Sequence, residues 1–149
     1  PRGVVNLHEE VTVAEKYRDL LRIKSSSIYQ LAGNLSGGNQ QKVIIAKWLF
    51  SEPDVLFLDE PTRGIDVGAK YEIYTIINEL ASQGKCVVFI SSELPEILGI
   101  CDRVYVMDEG EFVGEMPIGE ANPESIMRCI VANERKKVTE DAAVAAAVL

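Results

Sequence analysis

A serine and two glycines, Ser36, Gly37 and Gly38, stand just before an apolar run at 43–50 that predicts a helix. This arrangement offers a hydroxyl, unobstructed backbone N–H groups and the positive end of a helix, all of which suit phosphate oxygens. The same three residue types also begin ordinary helices. The segment is therefore a candidate phosphate site that depends on its context.

A pair of carboxylates, Asp59 and Glu60, follows the short apolar run 55–58. One carboxylate can hold Mg²⁺, often through water, while its neighbour orients or deprotonates an attacking water molecule. The alternative is that both are solvated loop acids ahead of Pro61. Their position at the end of a predicted buried strand favours the chemical role.

The elements around these residues predict a strand–helix–strand unit. The runs 55–58 and 86–90 are typical of strands buried on both faces of a parallel sheet. Between them, four apolar residues share one helical face: Ile73, Ile76, Ile77 and Leu80. Functional loops emerge at the carboxyl ends of such strands, which places 59–60 and 91–93 at the same edge.

The flanking segments predict further elements. The spacing of Thr12 and Glu15 matches a capping box at the start of a helix that runs to about Ile23. A short helix at 95–100 and a hairpin at 103–114 follow the second strand. A helix then begins at Pro123, after the cap residue Asn122.

Composition limits the classes of protein. The chain has 149 residues, 47% hydrophobic and 26% charged, as expected of one folded domain, and its net charge of −8 disfavours a nucleic-acid surface. No apolar run approaches the roughly 20 residues that cross a bilayer. We expect His8 at the surface, aromatic residues Trp48 and Phe50 in the core, and buried free thiols at the three cysteines: Cys86, Cys101 and Cys129.

The motifs together resemble the nucleotide-binding domain of ABC ATPases. Residues 35–40 look like the signature motif, 55–60 like Walker B and 64–66 like the D-loop, and 90–93 falls at the switch loop. Residues 12–131 resemble, more narrowly, the C-terminal half of the ATPase subunit of bacterial monosaccharide importers, whose sugars include ribose, galactose, xylose and arabinose.

This resemblance implies an α/β fold, an incomplete ABC-type nucleotide-binding domain with a mostly parallel sheet flanked by helices. Residues 1–50 would be part of the helical (signature) subdomain. Residues 51–134 would be the catalytic-core portion with Walker B, D-loop and switch region. Residues 135–149 form a predicted flexible tail.

The resemblance also assigns roles to individual residues. Glu60 is the implied catalytic base, Asp59 the implied ligand of Mg²⁺ through water, and Asp66 the D-loop residue near the dimer axis, or simply a helix cap. The signature contacts to ATP, made in trans to another half, are assigned to five residues: Ser36, Gly37, Gly38, Asn39 and Gln40.

Two features depart from the family pattern. The chain has no GxxxxGK[ST] phosphate loop, since its one Gly-Lys pair, Gly84-Lys85, is followed by Cys86. Ser92 occupies the switch position that is usually histidine, and a serine cannot carry a positive charge to a phosphate. We therefore expect the chain to lack tight ATP binding alone, and the site that uses Asp59 and Glu60 to be catalytically weak.

The implied cofactors are ATP and Mg²⁺. The implied partners are the N-terminal nucleotide-binding half of the same polypeptide or a second copy, the membrane permease subunits and, indirectly, a sugar-binding protein, but no nucleic acid. The implied location is cytoplasmic, on the inner face of the membrane. Two alternatives remain open: a non-catalytic ABC-like regulatory module, and an ATPase of chromosome maintenance or DNA repair, which the acidic balance disfavours.

Overall fold

The computed structural model describes residues 6–147, which fold as two units that divide between residues 90 and 91. Unit 1 contains helices α1 (Leu7–Leu20) and α2 (Gly37–Leu49), strand β1 (Val55–Asp59), helix α3 (Val67–Ser82) and strand β2 (Cys86–Ile90). Unit 2 contains helix α4 (Leu94–Ile100), strands β3 (Arg103–Asp108) and β4 (Glu111–Pro117), and helix α5 (Pro123–Ala147). Short 3₁₀ turns lie at Ala32–Asn34 and Ile118–Glu120.

The strand–helix–strand prediction is confirmed. Strands β1 and β2 pair in parallel, with Val55 opposite Cys86 and Asp59 opposite Ile90. The four residues predicted to share one face of α3 are all buried. They form the core of unit 1 with apolar residues of α2 and β1, including Ile45 and Leu56. This core holds the strand ends that carry the candidate carboxylates.

Helix α1 begins earlier than the capping-box prediction. The N-cap is Asn6, whose side-chain oxygen accepts hydrogen bonds from the backbone N–H groups of His8 and Glu9. Thr12 lies inside the helix, where its hydroxyl donates to the carbonyl of His8. Asparagine is a preferred N-cap residue, so the earlier cap sets the start of the helix. His8 is exposed, as expected.

Several residues predicted to be buried are exposed. Only alternate residues of β1 are covered, so Leu56 and Leu58 are buried while Phe57 remains 68% exposed. Trp48 and Phe50 are 54% and 61% exposed, because α2 directs Ile45, Ala46 and Leu49 into the core instead. The cysteines are free thiols, but none is fully buried: Cys86 is exposed, and Cys101 and Cys129 are half-buried.

Unit 2 is a hairpin packed on a long helix. Strands β3 and β4 are antiparallel, and their turn places Glu109 and Gly110 at positive φ, as in the tight turns favoured by hairpins. Helix α5 approaches β4 closely at Gly114, where an added Cβ would lie 2.6 Å from Sγ of Cys129. Asn133 of α5 also donates to the carboxylate of Asp108.

The described chain divides once, between residues 90 and 91. Helix α2 packs on α3 within unit 1. Helix α5 runs to Ala147 and includes most of the predicted flexible tail 135–149, and Lys137 forms an ion pair of 2.7 Å with Glu109. Residues 148 and 149 of that tail lie outside the described residues.

Candidate functional site

The signature segment forms the first turn of α2, which begins at Gly37 and not at 43 as predicted. Ser36 is the N-cap residue, but its hydroxyl makes no capping hydrogen bond. The hydroxyl oxygen instead accepts a hydrogen bond of 2.8 Å from the side-chain amide of Asn39. The first N–H groups of a helix have no acceptor within that helix. Because Ser36 and Gly37 are exposed, this end of α2 can receive an anion.

The two glycines also permit close packing of α2 against the segment 64–69. A Cβ atom on Gly38 would lie 2.5 Å from Cβ of Ala69, which is shorter than side chains tolerate. A Cβ atom on Gly37 would lie 3.2 Å from Cγ2 of Ile65. The sequence interpretation gave these glycines to phosphate binding alone. The structure adds a packing role that no sequence spacing indicates.

A buried ion pair lies one helical turn beyond Gly38. Lys42 is only 2% exposed, and its ammonium lies 2.6 Å from Oε2 of Glu72 on α3 and 3.2 Å from the carbonyl of Arg22. Lys24 approaches the other carboxylate oxygen of Glu72 at 3.3 Å. The hydrogen bond from Lys42 lowers the pKa of Glu72, partial burial opposes the shift, and the charges of Lys42 and Lys24 add to it. Sequence reasoning missed this pair, because a lysine in an amphipathic helix normally predicts a solvated position.

The carboxylates Asp59 and Glu60 leave the carboxyl end of β1, as predicted. Asp59 is exposed and ends the strand. Glu60 has φ of +46°, a left-handed conformation that costs a non-glycine residue about 1 kcal/mol. Its N–H donates to the carbonyl of Ile90, and its carbonyl accepts from the N–H of Arg63. Arg22, Glu52 and Glu109 share this left-handed conformation, so at Glu60 it marks the turn that follows β1 and does not by itself assign a chemical role.

Asp66 is the N-cap of α3. Its carboxylate oxygen Oδ1 accepts a hydrogen bond of 2.9 Å from the N–H of Ala69. The helix-cap interpretation is therefore confirmed. Since Ala69 is also the residue that contacts Gly38, this cap orders the segment on which the signature turn rests.

In unit 2, the segment around Ser92 is fixed by a buried glutamate. The hydroxyl of Ser91 donates to Glu96 at 2.7 Å and accepts from the N–H of Glu93 at 3.0 Å. Glu96 is only 5% exposed, although it lies in the short helix α4. Ser92 itself is exposed. Glu96 was not singled out from the sequence, and an acid within an apolar helix is the signal that could have found it.

The residues present fit a Mg²⁺ ion that substrate phosphates and water help to hold. Among the described residues, no three histidine, cysteine, aspartate or glutamate side chains come together as a metal cluster. Mg²⁺ typically uses one or two carboxylates together with water and substrate phosphates, so the exposed carboxylate of Asp59 suffices as the protein's share. No helix in the range 6–147 is long and apolar enough to cross a membrane.

Solved structures share this fold. An ATP-binding cassette of an ABC transporter in its ADP conformation superimposes with a TM-score of 0.71 at 27% identity, over 87% of this chain and 52% of that one. A nucleotide-free ATP-binding cassette gives a TM-score of 0.67 at 30% identity, over 73% of this chain and 43% of that one. The sequence family described as ABC transporter matches residues 6–63.

Curated relatives agree with the family. The L-arabinose transport ATP-binding protein of Geobacillus stearothermophilus is 60% identical over 84% of this chain and 24% of its own length. The xylose import ATP-binding protein of Thermoanaerobacter pseudethanolicus is 60% identical over 85% of this chain, and the ribose import ATP-binding protein of Clostridium perfringens 57% over 83%, each over 25% of its own length. Over the matched residues, the chain is similar to the ATP-binding proteins of ABC transporters. It spans about a quarter of the length of these relatives.

The packing role of Gly38 predicts a specific rescue. Gly38→Ala should lower the free energy of unfolding by about 1–3 kcal/mol, because the added methyl group overlaps Ala69. Ala69→Gly in the same chain should recover part of that loss. Gly99→Ala is the control, since a Cβ at this helical position meets nothing within 4 Å and should be neutral or stabilising. Urea unfolding of Gly38→Ala, Ala69→Gly, their double mutant and Gly99→Ala measures these effects, and full additivity of the Gly38 and Ala69 changes would contradict the contact.

The ion pair predicts a dependence of stability on pH. Glu72→Gln should lower the free energy of unfolding by about 1–3 kcal/mol at pH 7, because it leaves Lys42 buried without an anion. Since the pKa of Glu72 is lowered in the folded state, its contribution is present above the ordinary value of 4.5 and is lost as pH falls below it.

The difference in unfolding free energy between the original chain and Glu72→Gln should therefore narrow as the pH is lowered from 7 through 4.5 and below. Glu79→Gln, an exposed change on the same helix, serves as the control and should show no such gap. A gap that stays constant across this range would show that the charge of Glu72 is not what stabilises the fold.

The cap at Asp66 predicts different outcomes for two substitutions. Asp66→Ala should lower the free energy of unfolding by about 0.5–2 kcal/mol, because the N–H of Ala69 loses its acceptor. Asp66→Asn keeps a side-chain oxygen in place and should change the free energy of unfolding by only a few tenths of a kcal/mol. Thermal unfolding followed by circular dichroism distinguishes the two, and equal losses would argue against the capping role.

Proposed function

We propose that this chain is part of the ATP-hydrolysing subunit of an ABC importer of monosaccharides, to which it contributes signature and Walker B elements. The observation that carries the proposal is the exposed hydroxyl of Ser36 at the open first turn of α2, which Gly38 seats against α3. Relatives at 57–60% identity are named for transport or import of arabinose, xylose and ribose. The partner subunits, and not this chain, determine which sugar is transported.

Ser36 and the backbone of 37–40 contact the phosphates of an ATP molecule held by the phosphate loop of another nucleotide-binding half. That half is the N-terminal half of the same polypeptide or a second copy. Binding across two halves couples nucleotide binding to their closure.

Asp59 and Glu60 serve a second nucleotide. Asp59 would hold Mg²⁺ through water, and the bound metal would offset phosphate charge. Glu60 accepts a proton from the attacking water, a role that its position directly after the strand end at Asp59 supports. Asp66 links the two nucleotide sites through the segment 64–69. Ser92 cannot supply the positive charge of an imidazolium, so this second site turns over slowly.

The partners that follow are the permease subunits and, through them, a sugar-binding protein. This places the complete subunit in the cytoplasm, at the inner face of the membrane. Ser92 also favours a second candidate function, a regulatory half that binds nucleotide without hydrolysing it. The two functions differ in whether loss of Glu60 changes turnover.

Substitution of Ser36 tests the trans contact. In the complete subunit, Ser36→Ala should lower ATP turnover about 10-fold or more, because a hydrogen bond to a charged phosphate is worth about 1.5–3 kcal/mol. Ser82→Ala, at the far end of α3, is the matched control and should leave turnover unchanged. The measurement is phosphate release under saturating ATP. Turnover of Ser36→Ala equal to that of the parent would contradict the proposal.

Glu60→Gln in the same assay separates the two candidate functions. A further loss of turnover supports slow hydrolysis at the site that contains Glu60. No change supports the regulatory half, since nothing is then hydrolysed there.

A further inference from the structure

Asn39 uses both ends of its side-chain amide inside the protein. Its Oδ1 accepts a hydrogen bond of 2.8 Å from the backbone N–H of Lys24, and its Nδ2 donates one of 2.8 Å to Oγ of Ser36. A backbone N–H is only a donor, so it fixes which end of the amide faces Lys24. The NH₂ group must then face Ser36.

This orientation determines how the Ser36 hydroxyl can act. A hydroxyl has one proton to donate and two lone pairs that accept. Because Asn39 donates to the oxygen, the proton of Ser36 is left to point away from Asn39. Ionised phosphate oxygens only accept hydrogen bonds, so they require that proton. The Asn39 amide thus orients the Ser36 hydroxyl so that its proton can be donated to a phosphate oxygen.

The acceptor end of Asn39 rests on an anchored segment. Lys24 contacts Glu72 through its ammonium, and Arg22, two residues earlier, accepts from the buried ammonium of Lys42. The same carboxylate of Glu72 pairs with Lys42. Residues 22–24 are therefore held on α3 by two ammonium groups. Asn39 is hydrogen-bonded to this anchored segment at Lys24 and to Ser36, so it holds the Ser36 hydroxyl in a fixed position relative to residues 22–24.

We propose that Asn39 is a positioning residue that orients the Ser36 hydroxyl toward a phosphate and acts through Ser36. This revises its sequence-based assignment as a nucleotide contact, and it rests on the proposed function. A direct contact and a positioning role make different predictions. Only positioning makes the effect of Asn39 depend on the presence of the Ser36 hydroxyl.

A double-mutant cycle in the complete subunit tests this dependence. Asn39→Ala should lower kcat for ATP about 3- to 10-fold, as expected when one hydrogen bond of about 1 kcal/mol is removed. In the Ser36→Ala background the same change should alter kcat less than about 2-fold, because contacting residues are coupled. Asn78→Ala, an exposed asparagine on α3, is the control.

Thermal unfolding of each variant excludes a loss of structure as the cause. If Asn39→Ala unfolds, Asn39→Asp replaces it, because aspartate keeps an acceptor for Lys24 but offers Ser36 no donor. Equal losses from Asn39→Ala in both backgrounds, or no loss in either, would overturn the positioning role while leaving the proposed function intact. A Ser36→Ala variant with full turnover would overturn both.

Discussion

The close contact between the start of α2 and the start of α3 is the constraint on which the candidate site depends. It exists only because Gly38 has no side chain where Ala69 approaches. The contact joins the signature turn, at Ser36, to the segment capped by Asp66. Because these atoms are in contact, a movement of either segment displaces the other. If the proposed function holds, such packing gives a physical route between the segment at Ser36 and the segment at Asp66.

Charge reinforces this packing. The ion pair between Lys42 and Glu72 crosses the same two helices one turn further along, and Lys24 extends it to the chain that supports Asn39. A buried lysine is unfavourable without an anion, so the pair favours one relative placement of α2 and α3. Packing thus sets the distance between the helices, and the ion pair sets their register. The position of the Ser36 hydroxyl therefore depends on both the packing and the ion pair.

The sequence predicts elements well where one local pattern decides them. The spacing of Ile73, Ile76, Ile77 and Leu80 predicts α3 and its buried face, and the two apolar runs predict the parallel strands that carry Asp59 and Glu60. Prediction from the sequence fails where the burial of a side chain depends on residues far away in the chain. The exposed side of Phe57 and the buried ammonium of Lys42 follow from which elements cover them, and no local pattern contains that information.

The central claim is that the chain holds parts of two nucleotide sites and the phosphate loop of neither. Calorimetric titration of the 149-residue chain with ATP and Mg²⁺ tests it most directly, with circular dichroism to establish that the chain is folded. The account predicts no stoichiometric binding at micromolar nucleotide, because Ser36, Asp59 and Glu60 each need a phosphate loop from elsewhere to hold ATP. Tight binding of one ATP per chain would contradict it, and would require a complete phosphate site within these residues.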